Sequence, residues 1–71
     1  MHVIEDESSP IKAMHYSREG KWLIVLYEAG GLYMYFDVTE YLYRRLLLNQ
    51  NQPWLVLGNL HKHPFKRLTK W

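Results

Sequence analysis

The chain is 71 residues long, has no cysteine, and carries nine Lys and Arg against seven Asp and Glu, a formal net charge of +2. A chain of this size is one small domain burying only about 60% of its unfolded surface, and thiolate nucleophiles, Cys-ligated metals and disulfide staples are excluded. Six Tyr, three Trp and two Phe are many for this length, so the rings either enlarge the core or meet a partner.

Residues 1–9 are polar, acidic and aperiodic and read as a flexible N-terminus, leaving 10–71 as the single domain. The run Glu5-Asp6-Glu7 is the opposite of a signal peptide's positive n-region, and nothing approaches the roughly 18 apolar residues of a membrane span. A cytoplasmic location is therefore expected. A strand over 11–16 would place Ile11, Ala13 and His15 on one side and Lys12, Met14 and Tyr16 on the other. Ser17-Arg18-Glu19-Gly20 reads as a turn with Gly20 supplying the positive φ. A second strand over 22–27 is wholly apolar or aromatic, and Glu28-Ala29-Gly30-Gly31 turns it into a third strand over 32–36.

Asp37 and Glu40 have capping-box spacing, with Thr39 as a rival N-cap. Leu42, Tyr43, Leu46 and Leu47 then form the inward stripe of an amphipathic helix. Pro53 is placed to start a short second helix running to about residue 60, which Gly58 weakens. His61-Lys62-His63-Pro64 reads as a loop, and 65–68 as an edge strand. The fold class expected is α+β: a three-stranded antiparallel meander, one amphipathic helix, a short second helix and a C-terminal edge strand.

The second and third strands do not alternate apolar with polar. One face would carry Leu23, Val25, Tyr27, Tyr33 and Tyr35, the other Trp22, Ile24, Leu26, Leu32, Met34 and Phe36. The helix takes one face. The other is covered either by the tail from Trp54 onward or by another molecule.

Several segments together resemble the KTSC domain family. They are Ser8-Ser9-Pro10-Ile11-Lys12-Ala13-Met14-His15-Tyr16, Leu23-Ile24-Val25-Leu26-Tyr27, Gly30-Gly31-Leu32-Tyr33-Met34-Tyr35-Phe36-Asp37-Val38, Tyr43 with Leu46-Leu47, and His63-Pro64-Phe65-Lys66-Arg67-Leu68. Tyr33-x-Tyr35 matches the family hallmark. Pro64-Phe65-Lys66-Arg67-Leu68 resembles its Tyr-Pro-Tyr-basic-basic-apolar ending. The resemblance runs from about residue 8 to 68. It implies a domain of this size, alone in bacteria and phages or appended to a larger protein, and RNA as a ligand through the lysyl-tRNA synthetases that gave the family its name. Two departures stand out. The family often has a polar residue where this chain has Met34, and an aromatic–Asn pair near where it has Val56-Leu57-Gly58. A binding function carried by that second segment would be altered here.

No catalytic constellation is present. Helix capping accounts for Asp37 and Glu40, the two-glycine turn precedes a strand rather than a phosphate-binding helix, and Ser8, Ser9 and Ser17 have no nucleophile elbow. His61 and His63 would point the same way on an extended segment, but no third metal ligand is near. No enzyme activity, metal or cofactor is expected.

Binding has more to draw on. Residues 31–71 hold six bases against two acids, while residues 1–30 hold three against five. Arg44, Arg45, Lys62, Lys66, Arg67 and Lys70 are the candidate phosphate contacts, with Tyr33 and Tyr35 as candidate stacking platforms. Against the stacking role, Tyr33 and Tyr35 would pack as core on the helix through Tyr43 and Leu46. The expected function is a small non-enzymatic module binding RNA or single-stranded nucleic acid. The alternative is a protein-interaction module or inhibitor, phage-encoded or homo-oligomeric. It would work through Trp22, Ile24, Leu26, Met34 and Phe36, whose apolar surface suits a hot spot. No membrane partner is expected.

Overall fold

A computed structural model of the chain describes residues 2–5, 9–50 and 52–68. Seven elements follow in order: β1 (His2–Val3), β2 (Ile11–Ser17), β3 (Trp22–Tyr27), β4 (Leu32–Tyr35), α1 (Glu40–Leu48), α2 (Trp54–Leu60) and β5 (Phe65–Leu68). The strands form one sheet in sequence order, each antiparallel to the next. The fold is α+β, as the periodicity predicts, with β5 at one edge. Neither helix is long and apolar enough to cross a membrane.

The other edge is an addition. The stretch expected to be a flexible terminus carries β1, which pairs His2 with Met14 and Val3 with Ala13. Ile4 is buried, and its N–H donates to the Lys12 carbonyl at 2.8 Å. Ser9 is also buried: its hydroxyl donates to the Gln50 carbonyl at 2.6 Å and accepts from the Ile11 N–H at 3.2 Å. Asp6, Glu7 and Ser8 lie outside the described residues.

Register decides which side chains share a face, because residues paired across strands point the same way. Leu23 pairs with Tyr35, Val25 with Tyr33, Met14 with Val25 and Tyr16 with Leu23. These side chains face the helices. In β2 a bulge lies between Ile11 and Ala13, where Ile11 pairs with Tyr27 and Ala13 with Leu26. The extra residue puts Ile11 on the same face as Met14 and Tyr16, and Ala13 and His15 on the other. Strict alternation from Ile11 therefore misassigns this strand's faces.

The turn into β3 also differs from expectation. Lys21, not Gly20, takes the positive φ, at 53°. Gly20 is needed for space, since a Cβ there would lie 2.5 Å from the Trp22 ring. The next turn closes with the Gly30 N–H donating to the Tyr27 carbonyl, and Gly30 does take a left-handed φ of 96°.

Thr39 wins the cap of α1: its side chain accepts from the Leu42 N–H at 3.2 Å. Asp37 instead adopts a φ of 59°. Glu40 is drawn outward to Arg18 and Arg44, at 2.9 and 2.7 Å. Pro53 is the residue just before α2 rather than its first. Both helices lie on the same face of the sheet. Leu42 and Leu46 from α1, and Val56, Leu57 and Leu60 from α2, join Ile11, Met14, Leu23, Val25 and Tyr35 in one core. Tyr16 stacks on Tyr43 at 4.8 Å between ring centres, and its hydroxyl donates to the Val38 carbonyl.

Candidate functional site

Placing both helices on one face leaves two surfaces to consider. The first is a cleft of about 800 Å³ on the helix side of β3, β4 and β5. Its sheet wall consists of Tyr27, Tyr33 and Tyr35, followed by Phe65 and Arg67 of β5. Trp54, at the start of α2, and His61, just past its end, face them. Ser9, Pro10, Glu28, Ala29 and Gly31 close the end nearest the β3–β4 turn.

The wall is built by alternation. In β4, Tyr33 and Tyr35 are two apart and so share a face, and β5 sets Arg67 opposite Tyr33 and Phe65 opposite Tyr35. The rings contact one another: Tyr33 to Tyr35 at 6.2 Å, Tyr33 to Phe65 at 5.8 Å, and Tyr35 to His61 at 6.3 Å. Gly31 makes room for this, because a Cβ there would sit 2.8 Å from the Tyr33 ring. Tyr27 meets Tyr33 edge-on at 5.7 Å, and its hydroxyl lies 2.7 Å from that of Tyr35.

The expectation for Tyr33 and Tyr35 divides. Tyr35 belongs to the buried core, at 4% exposure, while Tyr33 is half-buried beside it. Their ring neighbours are Phe65, His61 and Tyr27, whereas Tyr43 is stacked on Tyr16. Two rings at the cleft remain largely in water: Trp54 at 61% and Phe65 at 57% exposure. Neither is among the binding residues expected from the sequence. The signal for Trp54 is available, since Val56, Leu57 and Leu60 make the inward stripe of α2 and leave Trp54 and Leu55 outside it. Phe65 needed the pairing of β5 with β4.

The candidate cations do not converge. Arg67 lines the cleft, with its guanidinium 5.9 Å from the Tyr33 ring centre. Lys66 pairs with Met34 and so points to the opposite face. Arg44 is held by Glu40, and Arg45 lies over the Tyr41 ring at 5.9 Å. Lys62 is exposed in the turn after α2, and Lys70 lies outside the described residues. At the rim, Glu28 pairs with Lys12 at 2.7 Å. Among the described lining residues, Arg67 alone bears a fixed positive charge.

The electrostatics keep the floor neutral. Burial, and then the hydrogen bond that its hydroxyl makes to Tyr35, push the Tyr27 phenol well above its ordinary value. Burial also raises Tyr35. The histidines expected to point together part company, His61 toward Tyr35 and His63 with Nδ1 3.1 Å from the Phe36 carbonyl oxygen. No three His, Asp or Glu side chains gather as a metal would require among the described residues.

The second surface is the opposite sheet face. Ile24 pairs with Met34 and Leu26 with Leu32, and Trp22 lies beside His15 at 5.4 Å. Neither helix reaches this face. The described part of the tail after Trp54 packs on the other side or extends the sheet, so it does not provide the expected cover. Along this face Leu32 is buried, Trp22, Ile24, Leu26 and Met34 are half-buried, and Phe36 is exposed.

The family model for the KTSC domain matches residues 7–52. That span takes in β2, β3, β4 and α1, and with them Tyr27, Tyr33 and Tyr35. Trp54, His61, Phe65 and Arg67 come from the elements that follow it. No curated protein matches the chain.

Proposed function

This chain belongs to the KTSC domain family, and we propose that it is a small non-enzymatic binding module whose cleft takes unstacked bases of single-stranded RNA or a similar nucleic acid. One observation carries the reading: two largely exposed rings, Trp54 on a helix and Phe65 on a strand, line the same aromatic cleft. Single-strand binders use such rings as platforms, because every base has a flat face to stack. Arg67 beside Tyr33 supplies one phosphate contact or a cation over a stacked base. Titration of a labelled single-stranded RNA decamer at low salt tests the reading. Phe65→Ala is expected to weaken binding about 5- to 150-fold, the worth of one stacked base. No binding at low salt, or no effect of Phe65→Ala, overturns it.

A second reading rests on the open sheet face. Trp22, Ile24, Leu26 and Met34 form a half-buried apolar patch with no helix over it, as a protein-interaction module requires. Sedimentation of the wild type and of Met34→Glu tests it for self-association. A concentration-dependent mass that Met34→Glu abolishes favours this reading, and a monomer at all concentrations removes the homo-oligomer.

A further inference from the structure

The floor of the cleft contains a polar feature that stacking does not use. Tyr27 comes from β3 and Tyr35 from β4, and their hydroxyls meet at 2.7 Å. They join across the row that Val25 and Tyr33 occupy, since Val25 pairs with Tyr33 and each of these tyrosines stands two residues from that row. Among the described residues neither hydroxyl has another partner. One phenol donates its proton to the other, so the accepting phenol keeps its own proton to donate elsewhere. Either oxygen can take either role. The pair therefore offers a free O–H donor and free lone pairs side by side, in a cleft that is otherwise mostly apolar. A stacking surface has no need of this. The edge of a base does, because it presents donors and acceptors next to each other.

We infer that the Tyr27–Tyr35 hydroxyl pair hydrogen-bonds the edge of a base held between the Phe65 and Trp54 walls, giving the module a base preference. This rests on the cleft's taking single-stranded nucleic acid at all. The rings of Trp54 and Phe65 set affinity without regard to sequence, and the hydroxyl pair sets the ranking among bases. Both phenols are held neutral by burial, so the pair remains a donor and acceptor throughout the ordinary pH range.

The test compares decamers of adenylate, cytidylate and uridylate with wild type, Tyr27→Phe, Tyr35→Phe and Trp54→Ala. The wild type should rank the three decamers. Each Tyr→Phe change keeps the ring and should compress the ratio of tightest to weakest by about fivefold, the worth of one neutral hydrogen bond. Trp54→Ala should weaken all three alike and leave the ratio in place. A merely structural hydroxyl pair would lower thermal stability or overall affinity without changing the ratio. Failure of every decamer to bind the wild type overturns the nucleic-acid reading itself. Binding with equal affinity for all three, or a ratio that both Tyr→Phe variants preserve, overturns this inference alone.

Discussion

The dispersal of the cations makes a quantitative prediction about salt. Each phosphate neutralised on a single strand contributes about −0.7 to the slope of log K against log salt. Arg67 lines the cleft, Lys62 follows His61 in the adjoining turn, and the other described candidates are paired or face elsewhere. One or two contacts predict a slope between about −0.7 and −1.4, whereas all six basic side chains acting together would give about −4. Between 50 and 200 mM salt the first case loses about three- to sevenfold in affinity and the second about 300-fold. Fluorescence anisotropy of a labelled RNA decamer across that range measures the slope directly. Arg67→Gln should bring it toward zero by about 0.7. Arg44→Gln should leave it unchanged, because that guanidinium is held 2.7 Å from Glu40. A wild-type slope steeper than about −3, or one that Arg44→Gln flattens, would refute the expectation that Arg67, with at most Lys62 beside it, meets phosphate.

Ser9→Ala should cost about 1–3 kcal/mol, because it strands the Gln50 carbonyl and the Ile11 N–H inside the fold. Ser17→Ala, whose hydroxyl accepts from the Gly20 N–H in an exposed turn, should cost under about 0.5 kcal/mol. Thermal melts of the two variants compare a buried with an exposed cap, and equal drops would refute the placement of Ser9. Arg18 and Arg44 hold the Glu40 carboxyl below its ordinary value of 4.5, so its contribution to stability is present above that pH and is lost as pH falls through the lower, folded-state value. Melting temperature followed from pH 6 to pH 2 should show a shallower acid decline in Glu40→Gln than in the wild type. Burial raises both Tyr27 and Tyr35 above their ordinary value of 10, so the folded state keeps protons that the unfolded state releases. Stability should therefore be flat below pH 10 on this account and fall above it, with a shallower fall in Tyr27→Phe.

Much of this architecture is written in local pattern. The run 22–27, the glycine turn at 30 and 31 and the Leu42–Leu46 stripe each specify an element from neighbouring residues alone, and the structure has β3, β4 and α1 where they indicate. The β2 faces escape such a reading, because a bulge is a relation between two strands and leaves no mark in one of them. The same holds for β1: His2 and Val3 are a strand only because β2 offers them an edge. The cations illustrate the limit most clearly. A cluster of Lys and Arg along the chain resembles a patch, yet alternation turns Lys66 and Arg67 to opposite faces of the sheet, and Glu40 captures Arg44.

Composition and local period suffice to establish an α+β domain without cysteine chemistry, central strands apolar on both sides, and a shared face for Tyr33 and Tyr35. Those properties depend on composition and on periods of two and of about 3.6 residues. Packing between distant elements sets which face the helices cover, that both cover the same one, and that the stripe of α2 leaves Trp54 to line one aromatic cleft with Phe65. Those outcomes depend on register and packing between elements distant in the chain, which no local period encodes.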